Sequence, residues 1–309
     1  MEMLTAAHRD EKYSWLDYGA NGTEYLEPWY YDRILKPYLF PRRGSDLALL
    51  AAFLGRSHLR PTANVLEIGP GTGRATEILH ERLRSPRVDL VDQSQRMIDH
   101  LRHRFHGVVD QALIKSDAIA YLARTSSKYD LVCSLWSLSH SIHQNISRNG
   151  MQHGRALATY ALRRLFDSVV KPTGEFFIIH FDSTSEEQRI SLRQRRHLEP
   201  WLTPGSPPPS QLLIEEVLCE KQREGVIQFD KRHLTGMPIV YSTLDDALEV
   251  FMNFHMEGVF NHSPRVDKVM ADLVADLSSY QRPDGTLAIK PGCFIYSGHR
   301  SKPTVPHWV

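Results

Sequence analysis

Cysteine is scarce in this chain of 309 residues: Cys133, Cys219 and Cys293 stand far apart with no C-x-x-C pair. That excludes a disulfide framework and a thiolate zinc site, and it points to a reducing compartment. Long apolar runs are missing as well. None reaches the ~18 residues that a membrane-spanning helix takes, and the first ten residues carry no apolar leader core. A soluble, cytoplasmic protein without a membrane partner is expected. Neither sign of charge is in excess, because 37 Lys and Arg face 36 Asp and Glu for a formal net charge of +1. Without a basic footprint, nucleic acid is not expected as a partner. Repeats and low-complexity tracts are also absent. Asn21, Asn145 and Asn261 match the glycosylation sequon, which in a cytosolic chain is coincidence.

What is present suffices for a full core: 41% of the residues are hydrophobic and 24% charged, consistent with one domain carrying additions. The most organised stretch runs from Asn64 to His80. Val65, Leu66 and Ile68 form a short apolar run of the kind buried on both faces of a sheet. Gly69, Gly71 and Gly73 follow at alternate positions, and a helix begins after them. Missing side chains and the free N–H groups of a helix start make room for a polar ligand. The spacing is G-x-G-x-G, with Glu67 ahead of it, whereas the dinucleotide fingerprint is G-x-G-x-x-G.

The next segments repeat a strand-then-acid pattern. Arg87 to Asp92 reads as a strand ending on a carboxylate about 20 residues past the turn, where an acid can accept ribose hydroxyls. Residues 112–117 read as a third strand ending on Asp117, and residues 129–135 as a fourth. Leu165 to His180 reads as a helix, a Pro-Gly turn and a fifth strand. In this order the matches resemble the class I S-adenosylmethionine-dependent methyltransferases. The resemblance implies a Rossmann-like α/β fold: a seven-stranded, mostly parallel sheet with an antiparallel last strand and helices on both faces. It implies S-adenosylmethionine as cofactor, leaving as S-adenosylhomocysteine. The donor would lie against Glu67, Gly69, Gly71, Gly73, Asp92, Gln93, Met97, Ser116, Asp117, Ala118, Ser134 and Leu135.

Five regions are expected: an N-terminal helical, aromatic lid over residues 1–44, a cofactor-binding core over 45–182, a substrate-binding insert over 183–262, closing strands over 263–300 and a tail over 301–309. In the lid, Tyr13, Trp15 and Tyr18 are candidates for the substrate mouth. Ser45 and Gly55 bracket a helix as N-cap and terminator. Residues 183–196 read as a solvated, charged helix, residues 199–210 as a Pro-rich loop, residues 211–224 as a helix burying Leu212, Leu213, Val217 and Leu218, and residues 226–233 as an exposed strand. Residues 286–290 and 293–299, joined by Pro291 and Gly292, read as the last two strands.

Chemistry is expected just after the fourth strand, where Trp136 is a substrate candidate and His140 and His143 follow at helical spacing. A neutral histidine, with a usual pKa of about 6.5, can take a proton from a phenol or alcohol. His140 is the first candidate base and His180, at the end of the fifth strand, the second. His143, Asn253 and His255 are substrate candidates, with His233 and Tyr241 behind them. His140, His143 and His153 lack the companions of a zinc site, so no metal is expected. The function expected is methyl transfer to a small-molecule acceptor, through oxygen or nitrogen, with a homodimer left open. Alternatives are a protein acceptor, a non-catalytic cofactor-binding partner, and, least favoured by the glycine spacing, a nicotinamide oxidoreductase.

Overall fold

The computed structural model describes residues 13–18, 25–84, 86–108, 111–203 and 206–302. The sequon at Asn21, the leader region over 1–12 and the tail beyond residue 302 lie outside them. Seven strands form one sheet: β1 (Asn64–Ile68), β2 (Arg87–Asp92), β3 (Gln111–Lys115), β4 (Tyr129–Leu135), β5 (Val170–Phe181), β6 (Ile227–Thr235) and β7 (Gly292–Arg300). Their order is β3-β2-β1-β4-β5-β7-β6. Strands β1 to β5 pair in parallel, and β7 runs antiparallel to both β5 and β6. This is the mostly parallel Rossmann-like sheet expected, with its last strand reversed.

Strand order turns back between β1 and β4, and at such a switch point the carboxyl ends of neighbouring strands diverge into a crevice. Val65, Leu66, Ile68, Val88, Leu90, Leu131 and Val132 are essentially inaccessible, because both sheet faces are covered. One face packs on α1 (Pro28–Ile34), α2 (Asp46–Leu54) and α3 (Arg74–Arg82), together with the later part of the chain. The other packs on α5 (Ala118–Arg124), α6 (Ser137–Asn149), α7 (Met151–Arg164) and α9 (Pro209–Arg223). Ser45 caps α2 by accepting from Ala48 N, and Gly55 ends it, as its sequence requires. Helix α4 (Gln95–Arg104), capped by Ser94, buries Met97, Ile98 and Leu101.

The structure differs from the sequence reading in four places. Pro172 to Gly174 does not separate a helix from a strand but forms an irregularity inside the long β5, with Thr173 at φ 66°. Leu287–Ile289 leaves the main sheet to pair with Ile239–Tyr241; the edge position is taken by β6, which comes from within residues 183–262. Its polar outer residues Asp230, Lys231 and Arg232 suit an exposed edge. Helix α8 (Glu186–Arg195) is not a solvated element, since Glu187, Ile190, Ser191 and Gln194 are buried. In α9 the buried face holds Ile214 rather than Leu212, which is exposed.

The aromatic front is pinned by amides rather than by rings alone. Fully buried Asn253 donates from Nδ2 to Trp15 O at 2.9 Å and to the Tyr30 hydroxyl at 2.5 Å. Asn261 donates to Leu16 O and to Asn253 Oδ1, both at 2.7 Å. Asn253→Ala leaves these buried groups without partners and is expected to lower unfolding free energy by about 1–3 kcal/mol in urea titration. A loss below about 0.5 kcal/mol would show that the amides do not hold the segment.

Candidate active site

A cavity of ≈ 210 Å³ opens over the carboxyl ends of β1 to β5. Its cofactor-sized end is built by the glycine turn, and the three glycines serve different purposes. All have positive φ, 67° at Gly69, 56° at Gly71 and 89° at Gly73. A Cβ on Gly69 would collide with Ser137, and one on Gly73 with Phe105 and Leu101. A Cβ on Gly71 would meet nothing within 4 Å, because that position faces the cavity. Asp92, ending β2, accepts from Gly71 N at 3.3 Å and Ser94 N at 2.9 Å, so the carboxylate and the turn fix each other.

Around this end Val91, Met97, Ala118 and Leu135 supply apolar wall, and Gln93 and Ser116 supply polar edges. Glu67, behind the turn, is buried and accepts from Thr76 Oγ1 at 2.7 Å. Burial pushes its carboxyl up to about 7, and burial likewise pushes Asp92 up to about 6. Two desolvated acids beside a bare glycine backbone fit a ligand that carries positive charge and ribose hydroxyls. Four positions expected to touch the donor lie outside the cavity lining: Glu67, bonded to Thr76 behind the turn, and three that are used differently. Asp117 Oδ1 caps α5 through Ala120 N at 2.9 Å, Ser134 Oγ bridges Ile68 O and Leu138 N, and Gly73 is buried under Phe105.

Trp136, between β4 and α6, has φ 68°, a conformation costly for a bulky residue. It is held by its indole N–H on Asp46 Oδ2 at 3.0 Å and by Tyr38 and Phe181, whose ring centroids lie 4.7 and 4.6 Å away. Asp46 also pairs with Arg74 at 3.2 Å, linking this turn to α3. Trp136 thereby lines the junction between the two ends of the cavity.

The acceptor end holds His140, His143, His180 and His255, all four lining the cavity. His140 Nε2 lies 2.9 Å from Glu257 Oε2. His143 Nε2 sits 2.8 Å from both oxygens of Glu199, and burial, with Arg195 nearby, lowers its pKa. Arg195 stands between the two acids: Nη1 is 2.7 Å from Glu257 Oε1 and Nε 3.3 Å from Glu199 Oε2. Burial would raise both carboxyls, but His140 and Arg195 hold Glu257 well below the carboxylate range, and His143 and Arg195 hold Glu199 at about 2. Gln144 joins this network to the cofactor end: its Oε1 accepts from Gln93 Nε2 at 2.7 Å, while its own Nε2 lies 3.2 Å from Glu257 Oε2.

His180 is buried with Nδ1 2.5 Å from Phe181 O, and burial pushes its pKa down to about 4; His255 is pushed down to about 3 in the same way. Both are therefore neutral near pH 7. Buried Glu187, with the Tyr38 hydroxyl 3.2 Å from each oxygen, lies 3.7 Å from His255 Nε2.

Four expected substrate contacts lie elsewhere. Tyr13, Trp15 and Tyr18 are outside the cavity lining, packed on one another and on Trp29 and Tyr30; Asn253 is consumed by the N-terminal segment. The rings that do line it are Tyr25 and Tyr31. His233 instead bonds Asp182 at 2.8 Å, half exposed at the sheet edge, and the buried Tyr241 packs beside Phe251. His153 is exposed on α7, away from His140 and His143, and among the described residues no cluster of three metal-ligating groups forms. Arg195, Glu199 and Glu257 were not legible in sequence: each sits in a charged or irregular stretch with no apolar periodicity.

Comparison with known proteins agrees with this geometry. A methyltransferase-domain family model matches residues 65–158. The cyclopropane synthase MmaA2 from Mycobacterium tuberculosis shares 14% identity over 94% of this chain and 96% of its own, with a TM-score of 0.51. YcgJ from Bacillus subtilis covers 83% of this chain and 97% of its own at 14% identity and a TM-score of 0.48. A phosphoethanolamine N-methyltransferase 2 from Haemonchus contortus, solved with S-adenosyl-L-methionine, covers 89% of this chain and 56% of its own at 13% identity and a TM-score of 0.48. No curated protein matches the sequence. Residues 65–158 thus match a methyltransferase domain, and the seven-stranded sheet has the Rossmann-like methyltransferase fold. Among the described residues no helix is long and apolar enough to cross a membrane.

The raised acid at Glu67 has a measurable consequence. A carboxyl whose folded pKa exceeds the unfolded one holds its proton longer in the folded state, so its contribution to stability falls as pH rises from about 4.5 to about 7. The lowered His180 and His255 tilt stability the other way between about 4 and 6.5. The wild type is therefore compared with Glu67→Gln, each without cofactor, in urea titrations at pH 5 and pH 8. The variant should gain about 2–3 kcal/mol relative to wild type between the two pH values; parallel curves would contradict the assignment.

Proposed function

We propose that the enzyme transfers the methyl group of S-adenosylmethionine to an oxygen or nitrogen of a small-molecule acceptor, with His140 as general base. The observation that carries this reading is the 2.9 Å pair of His140 Nε2 and Glu257 Oε2, set in the same cavity as Gly71 and Asp92. Gly69, Gly71, Asp92, Gln93 and Met97 would hold the cofactor, which supplies an activated methyl group when bound.

The chain's own residues do the rest. Glu257, held ionised by His140 and Arg195, stands 2.9 Å from His140 Nε2, which the Gln144 amide nitrogen also approaches at 2.7 Å, so a carboxylate lies beside the ring that takes the proton. A proton taken by the ring makes an imidazolium that Glu257 stabilises, as a buried carboxylate supports a catalytic histidine. Trp136, Phe181, Tyr25 and Tyr31 narrow the cavity where its two ends meet and exclude water from the reacting atoms. Alignment of acceptor and methyl carbon by these walls supplies much of the rate in a direct displacement. A cavity of ≈ 210 Å³ is sized for a small acceptor rather than for a folded protein or a nucleic acid.

His140→Ala and His140→Gln should lower kcat on a metabolite panel by about 10²- to 10⁴-fold. Release of S-adenosylhomocysteine reads the rate. Cofactor affinity by calorimetry should stay within about threefold, since His140 stands at the acceptor end. Unchanged turnover in both variants would remove the base and leave a positioning-only mechanism.

A further inference from the structure

Resting on that reading, we infer that the acceptor is an amine that enters as an ammonium ion, and that carboxylates and phosphates are excluded. Arg195 is the one Lys or Arg lining the cavity among the described residues, and its guanidinium is already bound on both sides. Only 12% of its side chain is exposed, against 9% for Glu257 and 11% for Glu199. An anion at the remaining Nη2 would also meet Glu257 and Glu199, whose two negative charges outweigh the single positive charge of the guanidinium. Two carboxylates around one guanidinium leave this end with negative charge in excess.

Two independent features ask for the same ligand. His180 has its Nδ1 hydrogen on Phe181 O, so Nε2 is an acceptor, and it has no partner although the residue is only 2% exposed and lines the cavity. What it lacks is a hydrogen-bond donor. Tyr25, Tyr31 and Phe254 form a row of rings along the cavity with centroids 5.7 and 5.6 Å apart. Aromatic faces beside a carboxylate attract cations.

The chemistry balances with groups already present. The ammonium proton passes to the His140 imidazole, which frees the nitrogen lone pair. That pair forms the N–C bond while the C–S bond breaks, and its electrons remain on sulfur as the thioether. The product is a methylated ammonium ion, and the imidazolium returns its proton to water.

The test uses the full chain saturated with S-adenosylhomocysteine, titrated calorimetrically with benzylamine, benzyl alcohol and benzoate. Benzylamine should bind at least tenfold tighter than benzyl alcohol, with no heat from benzoate. Glu257→Gln, with its S-adenosylhomocysteine affinity retained as the check on folding, should lose that preference at least tenfold and acquire benzoate binding. Benzoate binding wild type as well as benzylamine does, three probes that cannot be told apart, or an unaltered preference in Glu257→Gln would each overturn the inference while leaving the methyltransferase site standing. Absence of heat from S-adenosylhomocysteine itself would instead overturn the reading beneath it.

Discussion

One guanidinium sets the geometry of the acceptor end. Arg195 reaches from the last turn of α8 to Glu257 on one side and Glu199 on the other, and each of those acids holds a histidine of α6. Buried ion pairs of this kind return little net stability, because desolvation offsets most of the attraction. What they give is placement. Without Arg195, two largely buried carboxylates would lose their shared counter-charge and would take up protons more readily, and His140 and His143 would lose the charged partners beside them. The clamp also joins three separated parts of the chain, α6, α8 with the loop after it, and the irregular turn near residue 257, where Glu257 itself has φ 58°.

The cofactor end depends on a different economy of space. Gly69 and Gly73 are glycines because neighbouring side chains occupy the volume a Cβ would need, whereas Gly71 is bare toward the cavity. Asp92 ties that turn to the second strand and faces the ligand at once. The Gln93–Gln144 contact carries the register of this end to Glu257 and His140. The two halves are therefore one hydrogen-bonded unit built on the carboxyl edge of a parallel sheet.

How much of this was visible in sequence follows from what each part is made of. Strands β1, β2 and β4 announce themselves, since an element covered on both faces must be apolar throughout and must stop at a glycine or an acid where the ligand begins. The same logic marked Gly69, Gly71, Asp92 and Met97. Helix α8 was opaque because, Ile190 apart, its inward residues are polar, and Glu187, Gln194 and Arg195 find their partners through tertiary structure. The aromatic front was recognised as a group, yet which rings face the cavity depends on how Asn253 and Asn261 anchor the segment, and that pairing spans more than two hundred residues. β6 was read as an exposed strand, but its alternation alone could not say that it closes the sheet beyond β7.

The central claim is that S-adenosylmethionine lies over Gly71. Calorimetric titration of S-adenosylhomocysteine into the wild type and into Gly71→Val tests it most directly, because valine at φ 56° would be strained and would project into the cavity. The account predicts single-site binding to the wild type and at least a hundredfold loss in a variant that remains folded by circular dichroism. Equal affinity in both proteins, or no heat in either, would contradict it.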